Sequence, residues 1–176
     1  MSIEDQNLAE HQSGPKIEVI VGADGWSKIL SSFEFIDTAA RLALHSSGKK
    51  VVDPTHSVAI LLSSDNHVRE LNKLHRGKDQ VTNVLSFPAN QLQIAGKETE
   101  PVHIGDIIVG LETIIAESEN QNKTIKDHVT HLVIHAVLHI LGYNHESERE
   151  AKIMENLETD LMKKLGLADP YRATFN

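Results

Sequence analysis

Cysteine is absent from the 176 residues. That excludes disulfides and thiolate metal sites, so a transition metal could be held only by imidazole or carboxylate. No run approaches the ~20 consecutive apolar residues of a membrane-spanning helix. The opening MSIEDQNLAEHQSGPK has neither the basic start nor the apolar centre of a signal peptide. An excess of positive charge is also lacking. Lys and Arg total 17 against 25 Asp and Glu, a formal net charge of −8. A protein that coats nucleic acid by bulk charge is thereby excluded, though a local cationic groove is not. These absences lead us to expect a cytoplasmic protein with no membrane association.

What is present is ordinary for a globular chain: 40% apolar and 24% charged residues in 19.5 kDa. That size suits one domain with one sizeable core. We expect residues 1–15 to form a flexible leader and residues 16–176 a single domain. The charges are unevenly spread. Arg69, Lys73, Arg76 and Lys78 fall within ten residues, whereas Glu146, Glu148, Glu150, Glu155, Glu158 and Asp160 crowd towards the end.

The alternation of Lys16–Val21 (KIEVIV) predicts a strand. Apolar residues at helical spacing predict one helix from Trp26 to about His45, with Gly48 as its stop. Ser57–Leu62 (SVAILL) reads as a buried strand, and Asp65 as the cap of a short helix. Val81–Phe87 reads as a strand stopped by Pro88, 89–101 as a loop, and Val102–Val109 as another strand. Three helices follow. One runs from Leu111 to about Asn120. The second is opened by Thr124 and Asp127 and runs to Leu141. The third is opened by a capping box of Ser147 with Glu150 and ended by Gly166. The expected class is α+β, with a small mixed sheet of about four strands packed against several helices.

His131–His145 reads HLVIHAVLHILGYNH, four histidines in fifteen residues. On a helix, residues four apart share a face, so His131, His135 and His139 form a stripe. Eight residues span about 12 Å of helix. Two nitrogens on one zinc lie within roughly 3.5 Å of each other. One i, i+4 pair can therefore chelate, and a third ligand must come from a turn. Gly142, three residues past His139, suits a left-handed residue that turns the chain back. His145 can then join His135 and His139. For His131 a satisfied core histidine is the preferred reading, and a neighbour of the site the alternative. Three protein ligands leave a fourth position open, the mark of a catalytic rather than a structural zinc. The spacing resembles that of the metzincin proteases. Their general-base glutamate is replaced here by Ala136, whose methyl group can take no proton.

Leu71–Pro88 (LNKLHRGKDQVTNVLSFP) taken alone is a helix end, a basic loop and a strand. Together with HAVLHILGYNH, HIGDIIV and the tail LADPYR it closely resembles the YbeY family of bacterial zinc endoribonucleases, over roughly residues 16–172. The resemblance implies one Zn2+ per chain on His135, His139 and His145. It also implies that Arg76, in HRGKD, is the functional arginine beside it. Taken alone, Arg76 would read as a solvated surface charge. Lys73 and Lys78 keep that reading, with phosphate tracking as the alternative. Asp106 leaves two readings open: orienting a ligand histidine, or ending a strand ladder. Ala136, Asn144 and Val81 depart from the family's commoner Gly, Asp and Pro. Asn144 puts metal affinity in question through its effect on a neighbouring ligand.

Three functions compete. The first is a metal-dependent, single-strand-specific endoribonuclease in ribosomal RNA (16S 3′ end) maturation and ribosome quality control. Its substrate would be single-stranded or ribosomal RNA, and the resemblance suggests contact with a small ribosomal subunit protein and the Era GTPase. The second is a zinc metallopeptidase-like hydrolase. The third is a non-catalytic ribosome-assembly factor with structural zinc. RNA cleavage needs a positive centre for phosphate, and arginine can hold phosphate through two parallel hydrogen bonds.

Overall fold

The computed structural model describes residues 14–46, 48, 52–89 and 102–172. The alternating segment Lys16–Val21 forms strand β1, with Ile17 and Val19 packed on the core and Ile20 left exposed. Of the expected leader, only Gly14 and Pro15 lie within the described residues. Pro15 is buried, and its carbonyl accepts from Arg41 Nη1 at 2.7 Å.

The single helix expected from Trp26 to His45 is instead two, α1 (Gly25–Ile29) and α2 (Glu34–Ser46). Leu30 is extended, and the Ser32 hydroxyl accepts the N–H of Glu34 at 3.3 Å. A serine hydroxyl offers the backbone an alternative to the helical ladder. The apolar period runs across the break because Leu30 and Phe33 pack on the same core as Trp26 and Ile36.

The remaining elements are β2 (His56–Ser63), α3 (Asp65–Arg76), β3 (Val84–Pro88), β4 (Val102–Gly110), α4 (Leu111–Asn120), α5 (Ile125–Ile140) and α6 (Glu148–Lys164). Two expectations are corrected in detail. Asp65 is not the cap of α3, because Ser64 occupies that position. The Asp65 carboxylate instead reaches α4, accepting from the Thr113 N–H at 3.2 Å and its hydroxyl at 2.7 Å. Strand β3 begins at Val84 rather than Val81, since the Asn83 side chain takes the Val84 N–H at 2.7 Å. It also includes Pro88. Because β3 is an edge strand, proline's missing N–H costs no ladder bond. The loop expected over 89–101 lies outside the described residues except for Ala89.

The sheet order is β1-β2-β4-β3, with β1, β2 and β4 parallel and β3 antiparallel to β4. This is the expected mixed four-stranded α+β architecture. Apolar residues of α2 and α5 pack with Val58, Ile60, Leu62, Ile107 and Val109 in the main core. Helix α3 covers Leu85 and Ile108 through Val68, forming a smaller cluster. Helix α5 is buried almost all round, as a helix through a domain core must be. Its end closes tightly on the sheet at Gly105, where a Cβ would lie 2.8 Å from the Phe87 carbonyl and 2.9 Å from Ile140 Cδ1. That approach sets the histidine-bearing end of α5 beside β3.

Candidate metal centre

Helix α5 ends in a Schellman turn. The Tyr143 N–H donates to the Leu138 carbonyl at 3.0 Å and the Gly142 N–H to the His139 carbonyl at 2.9 Å. Gly142 has φ +89°, and nothing lies within 4 Å of where its Cβ would be. The left-handed backbone, not crowding, is what calls for glycine there. The turn brings His145 back over the helix end. His135, His139 and His145 each offer one ligand atom, and those atoms all lie within 4.8 Å of one another.

The tautomers of two rings follow from their partners. His139 Nδ1 lies 3.0 Å from the Tyr143 carbonyl, which can only accept, so Nδ1 carries the proton. His135 Nδ1 lies 2.8 Å from Glu158 Oε1 and donates to it. With both rings neutral, as a metal ligand must be, the two Nε2 atoms are bare lone pairs that face each other 3.0 Å apart. Two acceptors gain nothing from that approach. A cation between them turns it into chelation, because nitrogens about 2.0–2.1 Å from one zinc are separated by roughly 3.5 Å or less. Burial pushes the His139 imidazole down to about 4, and the neighbouring His135 adds to the shift. The ring thus stays neutral and available as a ligand at physiological pH. With no thiolate in the chain, three imidazoles fit a borderline divalent ion.

Glu158 was not singled out in the sequence, although its position carries a signal. It falls on the buried stripe of α6 with Met154, Leu161 and Met162, where an acid is out of place. Burial alone would raise its carboxyl. Hydrogen bonds from His131 and His135, the His135 charge and the Tyr171 hydroxyl outweigh burial and hold it at about 2. His131 is not grouped with the ligands; its Nε2 donates to Glu158 Oε2 at 2.6 Å. Asp106 lies elsewhere. It is 53% exposed and pairs with His103 Nε2 at 3.0 Å, so neither role left open for it is taken up. Asn144 Oδ1 accepts the N–H of His145 at 2.9 Å and so braces the turn that carries this imidazole.

The histidines line a cleft of about 730 Å³. Arg76 and Lys78 line it too, with Asn83, Ser86 and Asn144. Arg76 is the last residue of α3, and Gly77 follows it with φ +68°. Its guanidinium donates from Nη2 to the Ser86 carbonyl at 3.1 Å and lies 5.6 Å from the Phe87 ring centroid. The structure thus brings the expected arginine and the expected histidines to one cavity. It does not bring all four cations there. Arg69 Nε and Lys73 Nζ both bind Asp79, at 2.6 and 3.0 Å.

Residues 25–166 match the family model described as Endoribonuclease YbeY. The chain belongs to the YbeY family. Relatives named Endoribonuclease YbeY are similar over nearly their whole length. The one from Bartonella henselae is 39% identical over 155 residues, covering 88% of this chain and 96% of the relative. That from Azorhizobium caulinodans is 41% identical, covering 89% and 96%. That from Rhodopseudomonas palustris is 37% identical, covering 95% and 87%. Among solved structures, the solution structure of a Thermotoga maritima protein superposes with a TM-score of 0.51 at 23% identity, covering 89% of this chain and 99% of that one. That likeness concerns the fold. The family match takes in every histidine of the cluster as well as Arg76.

Proposed function

We propose that this chain is a metal-dependent endoribonuclease that cuts single-stranded RNA in the cytoplasm, in maturation of the 16S ribosomal RNA 3′ end and in ribosome quality control. One observation carries the reading: three imidazoles and an arginine line a single cleft in a chain of the YbeY family. His135, His139 and His145 are the residues that hold the ion, with zinc the metal best suited to them. When bound, such an ion polarises a phosphoryl oxygen and lowers the pKa of water.

The protein's own side chains do the rest. Arg76 lines the same cleft as the histidines, where its fork can hold a phosphate by two charge-assisted hydrogen bonds. The bond from Arg76 to the Ser86 carbonyl and its contact with the Phe87 ring orient that fork before substrate arrives. Lys78 adds charge along the same cleft. The Tyr143 carbonyl and Glu158 fix the tautomers of His139 and His135 and keep their Nε2 atoms open to the ion.

A metallopeptidase is disfavoured. Ala136 is wholly buried where a protease would place its base. Glu158 cannot substitute for that base, because both its oxygens are occupied. Contact with a small ribosomal subunit protein or the Era GTPase rests on family resemblance alone. The deciding experiment incubates purified, metal-loaded protein with labelled RNA and with casein, beside a His139→Ala control. Cleavage of RNA but not casein, lost in the control, is expected. Cleavage of casein, or RNA cleavage that survives in His139→Ala, overturns the reading.

A further inference from the structure

We infer that Glu158 is a positioning residue for the metal centre: one buried carboxylate, locked from its far side by His131 and by Tyr171, holds His135 in the orientation a metal ion needs. The inference rests on the metal-centre reading above.

Glu158 is 0% exposed. A carboxylate without solvent must be matched by donors, or its burial is strongly unfavourable. Three donors converge on it from two elements. His135 Nδ1 reaches Oε1 at 2.8 Å, and His131 Nε2 reaches Oε2 at 2.6 Å. The Tyr171 hydroxyl also donates to Oε2. The division matters. Oε2 carries two donors that never face the ion, so they set the plane of the carboxylate. Oε1 is left with the single task of holding His135, whose Nε2 then points at His139.

The outer members are themselves fixed. Tyr171 lies in the turn beyond α6. Its N–H donates to Asp169 Oδ1 at 2.9 Å, and Lys123 Nζ donates to the Pro170 carbonyl at 2.7 Å. Its ring meets that of His131 edge-on, centroids 5.4 Å apart at 84°. The segment after α6 is thus pinned to the connection between α4 and α5 and reaches the metal ligand through one shared carboxylate. This also accounts for the fourth histidine of the stripe. His131 sits one turn before His135 and serves as the strut for its acceptor. A carboxylate that accepts from a ligand imidazole raises that ligand's basicity as well as orienting it. A network that merely glued α6 to α5 would make the same bonds and leave metal affinity alone.

The test measures Zn2+ binding to the full chain by competition with a chelating indicator, and the visible absorption of the Co2+-loaded chain. Glu158→Gln keeps the size and one acceptor oxygen but removes the charge. Zn2+ affinity is expected to fall about 10- to 100-fold, with altered Co2+ bands. Tyr171→Phe removes one donor from a ring that is 47% exposed, so the fold should stand. A smaller loss in the same direction is expected. Wild-type affinity and unchanged Co2+ bands in folded Glu158→Gln overturn the inference. Should that variant not fold, unchanged affinity in Tyr171→Phe overturns it. A wild-type chain that binds no Zn2+ ends the metal reading and this inference together, whereas intact wild-type binding with indifferent variants ends only the inference.

Discussion

Two segments look equally rich in chemistry along the chain, the histidine run 131–145 and the cationic run 69–78, and the fold treats them differently. In the first, the spacing on one helix and the turn at Gly142 bring three imidazoles together, with ligand atoms within 4.8 Å of one another. In the second, the fold sorts the charges. Asp79 takes Arg69 and Lys73, and its carboxyl is lowered by hydrogen bonds from Lys73 and then Arg69. Arg76 and Lys78 line the cleft instead. Helical geometry makes the first set a property of local sequence. The usefulness of a cation depends on which partner reaches it, and that is a property of the whole fold.

The sharpest way to break the comparison is at the histidines. His139→Ala should abolish both metal content and RNA cleavage, while His131→Ala should retain most of the metal. Elemental analysis of the purified variants checks this, and full metal in His139→Ala would remove the centre altogether.

Next comes Arg76. Arg76→Glu should keep its metal and its fold, yet cleave RNA about 100- to 1,000-fold more slowly, the usual effect of losing a donor aimed at charge that builds up in the transition state. Arg76→Lys should recover only part of that loss, since an ammonium lacks the planar fork. Rates at two ionic strengths separate this from a surface charge, whose effect salt would screen. Near-wild-type cleavage by Arg76→Glu would return Arg76 to the class of Arg69 and Lys73.

A third measurement uses pH. The His139 ring titrates at about 4 in the fold, below the ordinary 6.5. Below about 6.5 the unfolded chain binds the proton that the folded chain refuses. This contribution to the stability of the metal-free protein is therefore complete above about 6.5 and is lost as pH falls towards about 4. Melting of the chelator-treated chain across that range should show the decline, and His139→Ala should flatten it. Equal declines in both proteins would mean that His139 is not the group responsible.

Two smaller effects sharpen the other side. Lys73→Ala should leave cleavage within about twofold of wild type, because its charge is already spent on an exposed ion pair. A loss comparable to that of Arg76→Glu would place it on the RNA path. Removal of residues 1–14 should leave the melting temperature unchanged, since they carry little apolar periodicity and no motif. A clear fall would show that the leader packs on the domain.

The strands and most helices were legible because alternation and helical period report directly which face is buried, as in KIEVIV and in α2. The exceptions had local causes that periodicity does not see. A serine hydroxyl split α1 from α2, and the Asn83 amide delayed β3. Asp65 has the chemistry of a cap but spent it on Thr113, 48 residues away. The gathering of His135, His139 and His145 into a group that could hold a metal ion was set by local sequence, because residues four apart on a helix and a glycine at its end leave the three imidazoles little choice. What surrounds the triad came from packing: α3 delivers Arg76 to the same cleft, Asp79 withdraws two cations, and Glu158, 23 residues from His135, holds its Nδ1. Such contacts join elements far apart in the chain, and no spacing along the backbone encodes a distance that packing alone creates.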